Sequence, residues 1–321
     1  MLNRKIKNTK TFECPVCKKI SPEDQKEEFN KYTLWQCGIC SVRFWTPFEN
    51  PGSNWYEHDE RYSFRNKNPL TRPERNHRQF LKDSPARNEK LLDIGMGTGN
   101  FLAAAKQKGY EVYGIDFDED AIKTAKEEFG LTNVYVSDVM GIKEKMGKEV
   151  FGVATFFEVL EHLSNPYDFL EEVKQIIKPG GYIGLSVPHR ECPDFLKKYD
   201  KPPRHLTRWN EKSIKYILNQ HGFEIVRIHA IRLPIPFLVT KFHFWTRKWT
   251  SIGLVSKVSS KNQKLTSEDS GQKKKIKIQK AALLAKIKDY VLFFIPAVFL
   301  KIFFTLTRRD KLGLYALAKK K

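Results

Sequence analysis

Short apolar runs alternate with a glycine-rich loop and a helical stretch in the middle of the chain. Lys90–Ile94 is an apolar run that predicts a strand, and a loop with three glycines follows it. Asn100–Lys108 then predicts a helix, which Gly109 ends, and Tyr110–Ile115 predicts a second strand that leads to Asp116. The order strand, glycine loop, helix, strand and acid is typical of a nucleotide-binding α/β unit.

The loop and the acid predict a ligand site at the carboxyl ends of these strands. Three glycines, from Gly95 to Gly99, alternate with other residues directly after Asp93 and Ile94. Because glycines have no side chain, the backbone can approach a ligand closely at the N-terminus of the helix. The carboxylate of Asp116 can accept hydrogen bonds from both hydroxyls of a ribose. Ordinary capping at the end of a strand is the alternative role for such an acid.

Asp93-Ile-Gly-Met-Gly-Thr-Gly99 resembles the loop with which class I methyltransferases bind S-adenosylmethionine (SAM). The resemblance covers about residues 88–230 and the last ten, and it implies a seven-stranded, Rossmann-like α/β fold with SAM as cofactor. It implies the third, fourth and fifth strands at Val134–Asp138, Gly152–Phe157 and Tyr182–Val187. By the same resemblance, the residues that bind SAM are Asp93, Gly95, Gly97, Gly99, Asp116, Phe117, Asp138, Val139 and Phe157.

An insert interrupts the last pair of strands that the resemblance implies. Gly222–His229 resembles the sixth strand, and Leu312–Lys319 resembles the seventh, which runs antiparallel beside it. Relatives join the two by a short loop, whereas here the insert spans residues 231–310. Residues 241–321 contain 20 Lys and Arg but 4 Asp and Glu, which gives a local charge of +16 in a chain of charge +20. A basic block of this kind favours an anionic partner.

The insert combines three kinds of sequence. Ile231–Lys257 is aromatic and basic, Ser259–Lys280 is polar and lysine-rich, and Ala281–Leu306 is apolar apart from a few residues such as Pro296 and Lys301. The most apolar stretch is short for a straight crossing of a bilayer, so we expect monotopic or re-entrant helices on an anionic membrane surface. A soluble helical lid over the substrate cleft and a true spanning helix are the alternatives.

The N-terminal region carries two Cys-x-x-Cys pairs, Cys14 with Cys17 and Cys37 with Cys40. This spacing predicts a structural zinc site in which thiolates fill all four positions. The first residues are charged and lack an apolar run, so we expect no secretory signal and a cytoplasmic location, where paired cysteines bind metal more often than they form disulfides. A redox pair of thiols, or unliganded cysteines, is the alternative.

Three regions are therefore expected. Residues 1–50 form a zinc ribbon, residues 51–87 a connector or substrate cap rich in aromatic residues, and residues 88–321 the methyltransferase domain with its insert.

Candidate catalytic residues follow the fourth strand, at Glu158, Glu161 and His162. On a helical turn, residues three and four apart share a face, so these side chains can hold a divalent cation such as Mg²⁺. His162 as a general base and a plain capping role are the alternatives. The run resembles ubiquinone-pathway O-methyltransferases and small-RNA 2′-O-methyltransferases, in which matching positions are associated with metal. A segment like Pro203–Trp209 in those relatives returns a histidine to the cleft, which implies that His205 joins the site.

These features together predict a SAM-dependent methyltransferase that methylates an oxygen of a lipid-linked or amphiphilic small molecule. We expect it to be a peripheral or monotopic protein on the inner face of the membrane. An RNA methyltransferase is the first alternative, because a four-cysteine ribbon on this fold resembles the large-subunit ribosomal RNA guanine methyltransferases. Long apolar runs within the basic block argue against it, since binding of phosphates does not need them. A non-catalytic SAM-binding adaptor is the second alternative, and the sequence leaves the acceptor and the oligomeric state open.

Overall fold

A computed structural model describes most of the chain, in two compact units. The first unit consists of Met1–Ile231 and Leu312–Lys321, and the second of Arg232–Lys311, nearly the same residues as the expected insert. The lysine-rich segment Ser259–Lys280 lies outside the described residues. The described residues are 11–52, 55, 64, 66–84, 88–242 and 291–321.

Strands and helices alternate through the central part of the chain. The strands are β1 (Thr11–Glu13), β2 (Ile20–Pro22), β3 (Gln25–Phe29), β4 (Tyr32–Gln36), β5 (Arg43–Thr46), β6 (Lys90–Ile94), β7 (Glu111–Asp116), β8 (Val134–Val136), β9 (Phe151–Phe157), β10 (Ile177–Pro188), β11 (Thr207–Arg208), β12 (Phe223–Arg232) and β13 (Lys311–Lys320). The helices are α1 (Arg75–Asp83), α2 (Asn100–Gln107), α3 (Glu119–Phe129), α4 (Val139–Met146), α5 (Pro166–Ile176), α6 (Asp194–Lys197) and α7 (Glu211–Gln220). Residues 235–242 and 291–306 are also helical.

The first unit contains a seven-stranded sheet in the order β12-β13-β10-β9-β6-β7-β8. The neighbours from β10 to β8 pair in parallel, whereas β13 pairs antiparallel with β10. Leu91 and Leu92 are both fully buried, in two different apolar clusters. Because successive side chains of a strand point to opposite faces, the sheet is covered on both. The seven-stranded, Rossmann-like α/β fold expected from the sequence is confirmed.

Several strands differ by one or more residues from their expected bounds, and the differences in β8 and β10 involve local changes of structure. The third strand was expected to reach Asp138, but β8 ends at Val136 because Asp138 caps α4 and accepts a hydrogen bond from the Gly141 N–H at 2.8 Å. The fifth strand was expected to begin at Tyr182, but β10 begins at Ile177, and its register against β9 shifts between these two residues.

The ribbon is built into the same unit as the sheet. β1 pairs with β2, and a second small sheet has the order β11-β5-β4-β3, so its outermost strand comes from a segment far along the chain. The four paired cysteines are fully buried, and they belong to the same apolar cluster as Trp209 and Ile214. The ribbon and the α/β sheet therefore share one core.

The second unit contains a buried, well-paired carboxylate, Asp310, and a helix, residues 291–306, with many exposed apolar side chains. The Asp310 carboxylate accepts hydrogen bonds from Lys301 Nζ at 2.6 Å and from Arg232 Nη1 at 3.0 Å. Within the described residues, none of the helices combines the length and the apolar character that crossing a bilayer requires. Large apolar side chains of residues 291–306 that are at least half exposed are Val291, Leu292, Ile295, Phe299, Ile302, Phe303 and Leu306.

Candidate active site

A cavity of about 580 Å³ opens where β6, β7, β8 and β9 end. The carboxyl ends of parallel strands meet at one edge of a sheet, which is where open α/β sheets bind their ligands. All but one of the residues that the sequence assigned to SAM line this cavity. They are Asp93, Gly95, Gly97, Asp116, Phe117, Asp138, Val139 and Phe157.

Asp116 ties the glycine loop to the second strand of the sheet. Its Oδ2 accepts a hydrogen bond from the Gly97 N–H at 2.8 Å, and its Oδ1 accepts one from the Asp118 N–H at 3.1 Å. These two contacts fix the position of the carboxylate beside the glycine loop. The side chain is 8% exposed and lines the cavity, as expected for an acid that binds ribose hydroxyls.

Gly99 does not line the cavity. Its φ is +83°, and a Cβ at this position would lie 2.7 Å from Leu131 Cδ1, so glycine is needed there for packing and for the start of α2. Gly95 has both roles, because it lines the cavity and a Cβ there would lie 2.7 Å from Val159 Cγ2.

Two further acids at the cavity have structural partners. The Asp93 carboxyl is buried and accepts a hydrogen bond from Thr155 Oγ1 at 2.6 Å. Burial raises the pKa of Asp93 to about 8, which the hydrogen bond from Thr155 only partly opposes. Asp138 caps the N-terminus of α4 and also lies on the cavity wall.

The sequence did not single out His77, a residue of α1 that also lines the cavity. Its ring packs against Phe101 and Phe157, with centroids 5.0 and 4.8 Å away. Burial lowers the pKa of His77 to about 4, so the imidazole is neutral near pH 7. Nδ1 accepts from the Glu74 N–H at 3.2 Å, which leaves the proton on Nε2. A single histidine outside any motif gives no signal by which sequence reasoning finds it.

Glu158 interacts with Glu161 but lies outside the compact group of ligand atoms that Glu161, His162 and His205 form. The helical turn expected from Glu158 onward is not formed, because its φ of +56° is left-handed and a short 3₁₀ helix begins only at Leu160. Glu158 Oε1 instead accepts from Ser186 Oγ at 2.7 Å, and Asn76 Nδ2 donates to the same Oγ at 2.6 Å. Glu158 lines the cavity, and desolvation by the surrounding protein raises its pKa to about 7.

Glu161, His162 and His205 form a compact cluster, with ligand atoms all within 4.8 Å of one another. Glu161 is 1% exposed, and neither of its carboxylate oxygens has a hydrogen-bond partner among the described residues. Nδ1 of His162 lies 2.7 Å from the carbonyl oxygen of Arg204, and Nδ1 of His205 lies 2.9 Å from Asp200 Oδ1. Both partners are acceptors, so in the neutral imidazole each Nδ1 carries the proton and each Nε2 has the lone pair.

This cluster is suited to a divalent cation. A carboxylate oxygen and two imidazole nitrogens are a common ligand set, and hydrogen bonds to Nδ1 are what orients such imidazoles. Burial, together with the charge of Glu158, raises the pKa of Glu161 well above its usual range. A buried carboxylate without a partner is costly, so a proton or a cation must compensate it. His162 also lines the cavity, which places the cluster beside the expected SAM site.

The four N-terminal cysteines fit a zinc ion. The Sγ atoms of Cys14 and Cys40 are 3.8 Å apart, as are those of Cys17 and Cys37. Ligands about 2.3 Å from a tetrahedral zinc ion lie about 3.8 Å from one another. The Ile39 N–H also donates to Cys37 Sγ at 3.4 Å. None of these four cysteines forms a disulfide.

The sheet order, the glycine loop and the acid at the end of β7 define a class I SAM-dependent methyltransferase. The chain belongs to the methyltransferase domain family, which it matches over residues 62–228, more than half of its length. The class that the sequence motif implied is therefore confirmed.

The curated relatives include ubiquinone biosynthesis O-methyltransferases. That of Leptothrix cholodnii is 34% identical over 113 residues, which are 33% of this chain and 47% of the relative. That of Vibrio cholerae is 24% identical over 153 residues, which are 46% of this chain and 61% of the relative. The chain thus spans about half the length of the curated relatives that it matches. A solved SAM-dependent methyltransferase from Archaeoglobus fulgidus, 20% identical, has the same fold with a TM-score of 0.51 over 82% of this chain and 100% of that one.

Proposed function

We propose that the protein transfers a methyl group from SAM to an oxygen of a lipid-linked or amphiphilic small molecule at a membrane surface. The observation that carries the O-methylation is the cluster of Glu161, His162 and His205 beside the cavity. The relatives named as ubiquinone biosynthesis O-methyltransferases support the same chemistry. A structural zinc ion at the four cysteines and a divalent cation, such as Mg²⁺, at the cluster belong to this proposal.

Methyl transfer is an in-line displacement at the sulfonium methyl, so the protein mainly aligns the acceptor and removes its proton. Asp116 and the glycine loop hold SAM, and His162 lies where the cavity meets the cluster. A cation held by Glu161 and the two histidines would lower the pKa of an acceptor hydroxyl. Without a cation, Nε2 of His162 would accept that proton, and Glu161 Oε1, 3.8 Å away, would stabilise the resulting imidazolium.

Glu161→Gln tests whether the cluster holds a cation or whether His162 acts as the base without one. We expect this change to reduce the affinity for Mn²⁺, a paramagnetic substitute for Mg²⁺, by about 100-fold or more, since even outer partners of metal ligands are worth about 10–100-fold. Electron paramagnetic resonance of free Mn²⁺ gives the affinity. SAM binding, measured by calorimetry, should be unchanged, because Glu161 does not line the cavity.

The matched control is Glu224→Gln, which removes an exposed carboxylate on β12. It should bind Mn²⁺ as the unmodified protein does. An unmodified protein that binds no Mn²⁺, or a Glu161→Gln protein that binds it equally well, would leave His162 as the base.

Membrane association is supported by the exposed helical surface of residues 291–306. Seven of its large apolar side chains are at least half exposed, an arrangement rare on a protein that faces only water. Burial of six to eight such side chains would contribute on the order of 10 kcal/mol before ordering costs. Each nearby lysine would add about 1 kcal/mol on an anionic surface. The high positive charge of residues 241–321 is consistent with such a surface.

Liposome flotation tests the membrane proposal. The unmodified protein should float with anionic vesicles at low salt, and more weakly at high salt. Replacement of both Ile295 and Phe299 by Glu should reduce binding by 100-fold or more, since each lost apolar side chain is worth about 1.5–3 kcal/mol. Val226→Glu, at an exposed apolar position of β12, should leave flotation unchanged.

A protein that stays at the bottom of the gradient at low salt, while it binds RNA tightly, would contradict the membrane proposal. Binding to RNA phosphates should fall steeply with salt, whereas apolar burial should not. The RNA methyltransferase would then be the better interpretation.

A further inference from the structure

A segment near residue 206 connects the ribbon directly to the catalytic cluster. β11 pairs antiparallel with β5, and Thr207 lies opposite Phe44. The carbonyl of Leu206 accepts from the Trp45 N–H at 2.9 Å, and the Leu206 N–H donates to the carbonyl of Glu161 at 2.8 Å. Leu206 therefore joins the backbone of the ribbon to the backbone of Glu161, a candidate cation ligand. The residue directly before Leu206 is His205, another candidate ligand.

A chain of charged side chains runs along the same path. Glu27 Oε2, on β3 of the ribbon, lies 2.9 Å from Arg208 Nη1. Arg208 Nε lies 2.9 Å from Asp200 Oδ2, and Nη2 donates to the Asp200 carbonyl at 2.7 Å. The other carboxylate oxygen of Asp200 is the one that holds Nδ1 of His205. The ribbon is thus linked to the imidazole of His205 through contacts of 2.9 Å.

The contact between Arg208 and Asp200 lies in the interior, whereas the Glu27 side chain at the start of the path is 34% exposed. Arg208 and Asp200 are 4% and 5% exposed, and the guanidinium lies 5.1 Å from the centroid of the Trp45 ring. A buried guanidinium is tolerated only when its N–H groups are paired, and its rigid fork fixes the direction of each partner. Removal of Glu27 would leave Arg208 with one partner fewer on the ribbon side, so its hold on Asp200 would loosen.

A second contact reaches His162 from the end of the ribbon. Asn50 Nδ2 donates to the carbonyl of His162 at 2.7 Å. Both histidines of the cluster are therefore held from the N-terminal region, one through its backbone and one through its ring.

We propose that the zinc ribbon is a positioning element of the active site, in which Glu27 acts through Arg208 and Asp200 to orient His205. This role rests on the proposed cation site. Zinc stabilises the ribbon, because small zinc modules depend on their metal to fold, and the folded ribbon holds the His205 segment in place. Glu27 is a positioning residue, since it touches neither the cavity nor the cluster.

The decisive comparison is Glu27→Gln against Glu28→Gln in the full chain. Glu28 is the next residue of β3, is exposed and contacts Gln25 rather than Arg208. We expect the Mn²⁺ affinity, measured by electron paramagnetic resonance, to fall by about 3–10-fold in Glu27→Gln and by about 10–100-fold in Asp200→Asn. Glu28→Gln should leave it unchanged. Zinc content and SAM affinity should stay the same in all three variants.

A second control separates Arg208 from the other cation near Glu27. Lys201 Nζ lies 3.6 Å from Glu27 Oε1, so Lys201→Met removes this contact and leaves those of Arg208 in place. If positioning passes through Arg208, Lys201→Met should bind Mn²⁺ as the unmodified protein does. A loss as large as that in Glu27→Gln would overturn the proposed path.

The two proposals fail in different ways. If the unmodified protein binds no Mn²⁺, the cation site is wrong, and nitrogen NMR of the His205 ring tests the positioning on its own. The Nδ1–H signal of His205 should be protected from solvent exchange in the unmodified and Glu28→Gln proteins, and lose protection in Glu27→Gln. If Glu27→Gln matches Glu28→Gln in both Mn²⁺ affinity and Nδ1–H protection, the ribbon does not position His205.

Discussion

The Cys37→Ser protein should lose its zinc ion and much of the stability of the first unit. Loss of one thiolate opens a site in which four fully buried sulfurs surround the position of the ion. Structural zinc is worth about 10–16 kcal/mol in small zinc modules, which equals the whole stability of many domains. Because the cysteines share an apolar cluster with Trp209 and Ile214, we expect the effect to extend beyond the ribbon. Elemental analysis and thermal unfolding give the zinc content and the Tm.

Cys192→Ser is the matched control. Cys192 is a buried thiol outside the four-cysteine cluster, and burial raises its pKa to about 11, so it is a thiol rather than a thiolate ligand at neutral pH. This variant should keep about one zinc ion per chain. An unmodified protein without zinc, purified under reducing conditions and without chelator, would refute the assignment, as would a Cys37→Ser protein with an unchanged Tm.

Asp116→Ala should weaken SAM binding by about 100-fold or more. The change removes the acceptor for the ribose hydroxyls and the two contacts that hold Gly97 and Asp118. Each hydrogen bond to a charged group contributes about 1.5–3 kcal/mol, and 1.4 kcal/mol is tenfold in affinity. Calorimetric titration with SAM gives the dissociation constant. Asp116→Asn keeps one acceptor oxygen and should show an intermediate loss.

The control for Asp116 is Asp120→Ala, which removes an exposed carboxylate from the first turn of α3. Asp120→Ala removes one negative charge, as Asp116→Ala does, but leaves the cavity wall unchanged. The SAM affinity of the Asp120→Ala protein should therefore match that of the unmodified protein. Equal affinity in the Asp116→Ala protein would mean that SAM binds elsewhere.

Local patterns and the family resemblance together predicted the sheet and several residues that line the cavity. β6 has the bounds that its apolar run predicted, and the loop after it and Asp116 line the cavity. Apolar periodicity and glycine positions are patterns over a few neighbouring residues, so they can be recognised in the sequence without knowledge of the tertiary structure. The two cysteine pairs are also a local pattern, because the spacing within each pair brings two sulfurs to one turn. Gly99 shows the limit of a motif, since its glycine serves packing against Leu131 rather than the cavity.

The tertiary structure alone decided which side chains meet around Glu161. The backbone of Glu158 is left-handed, and its carboxylate accepts a hydrogen bond from Ser186, a contact that helical periodicity does not predict. His205 was expected at the cleft only by resemblance, and its orientation depends on Asp200 and on a ribbon that precedes it by more than 150 residues. Contacts between segments so far apart depend on how separate elements pack, and no short window of sequence contains that information. The sequence by itself determined the class of fold and the cofactor loop, and packing determined how the ribbon and the catalytic cluster are joined.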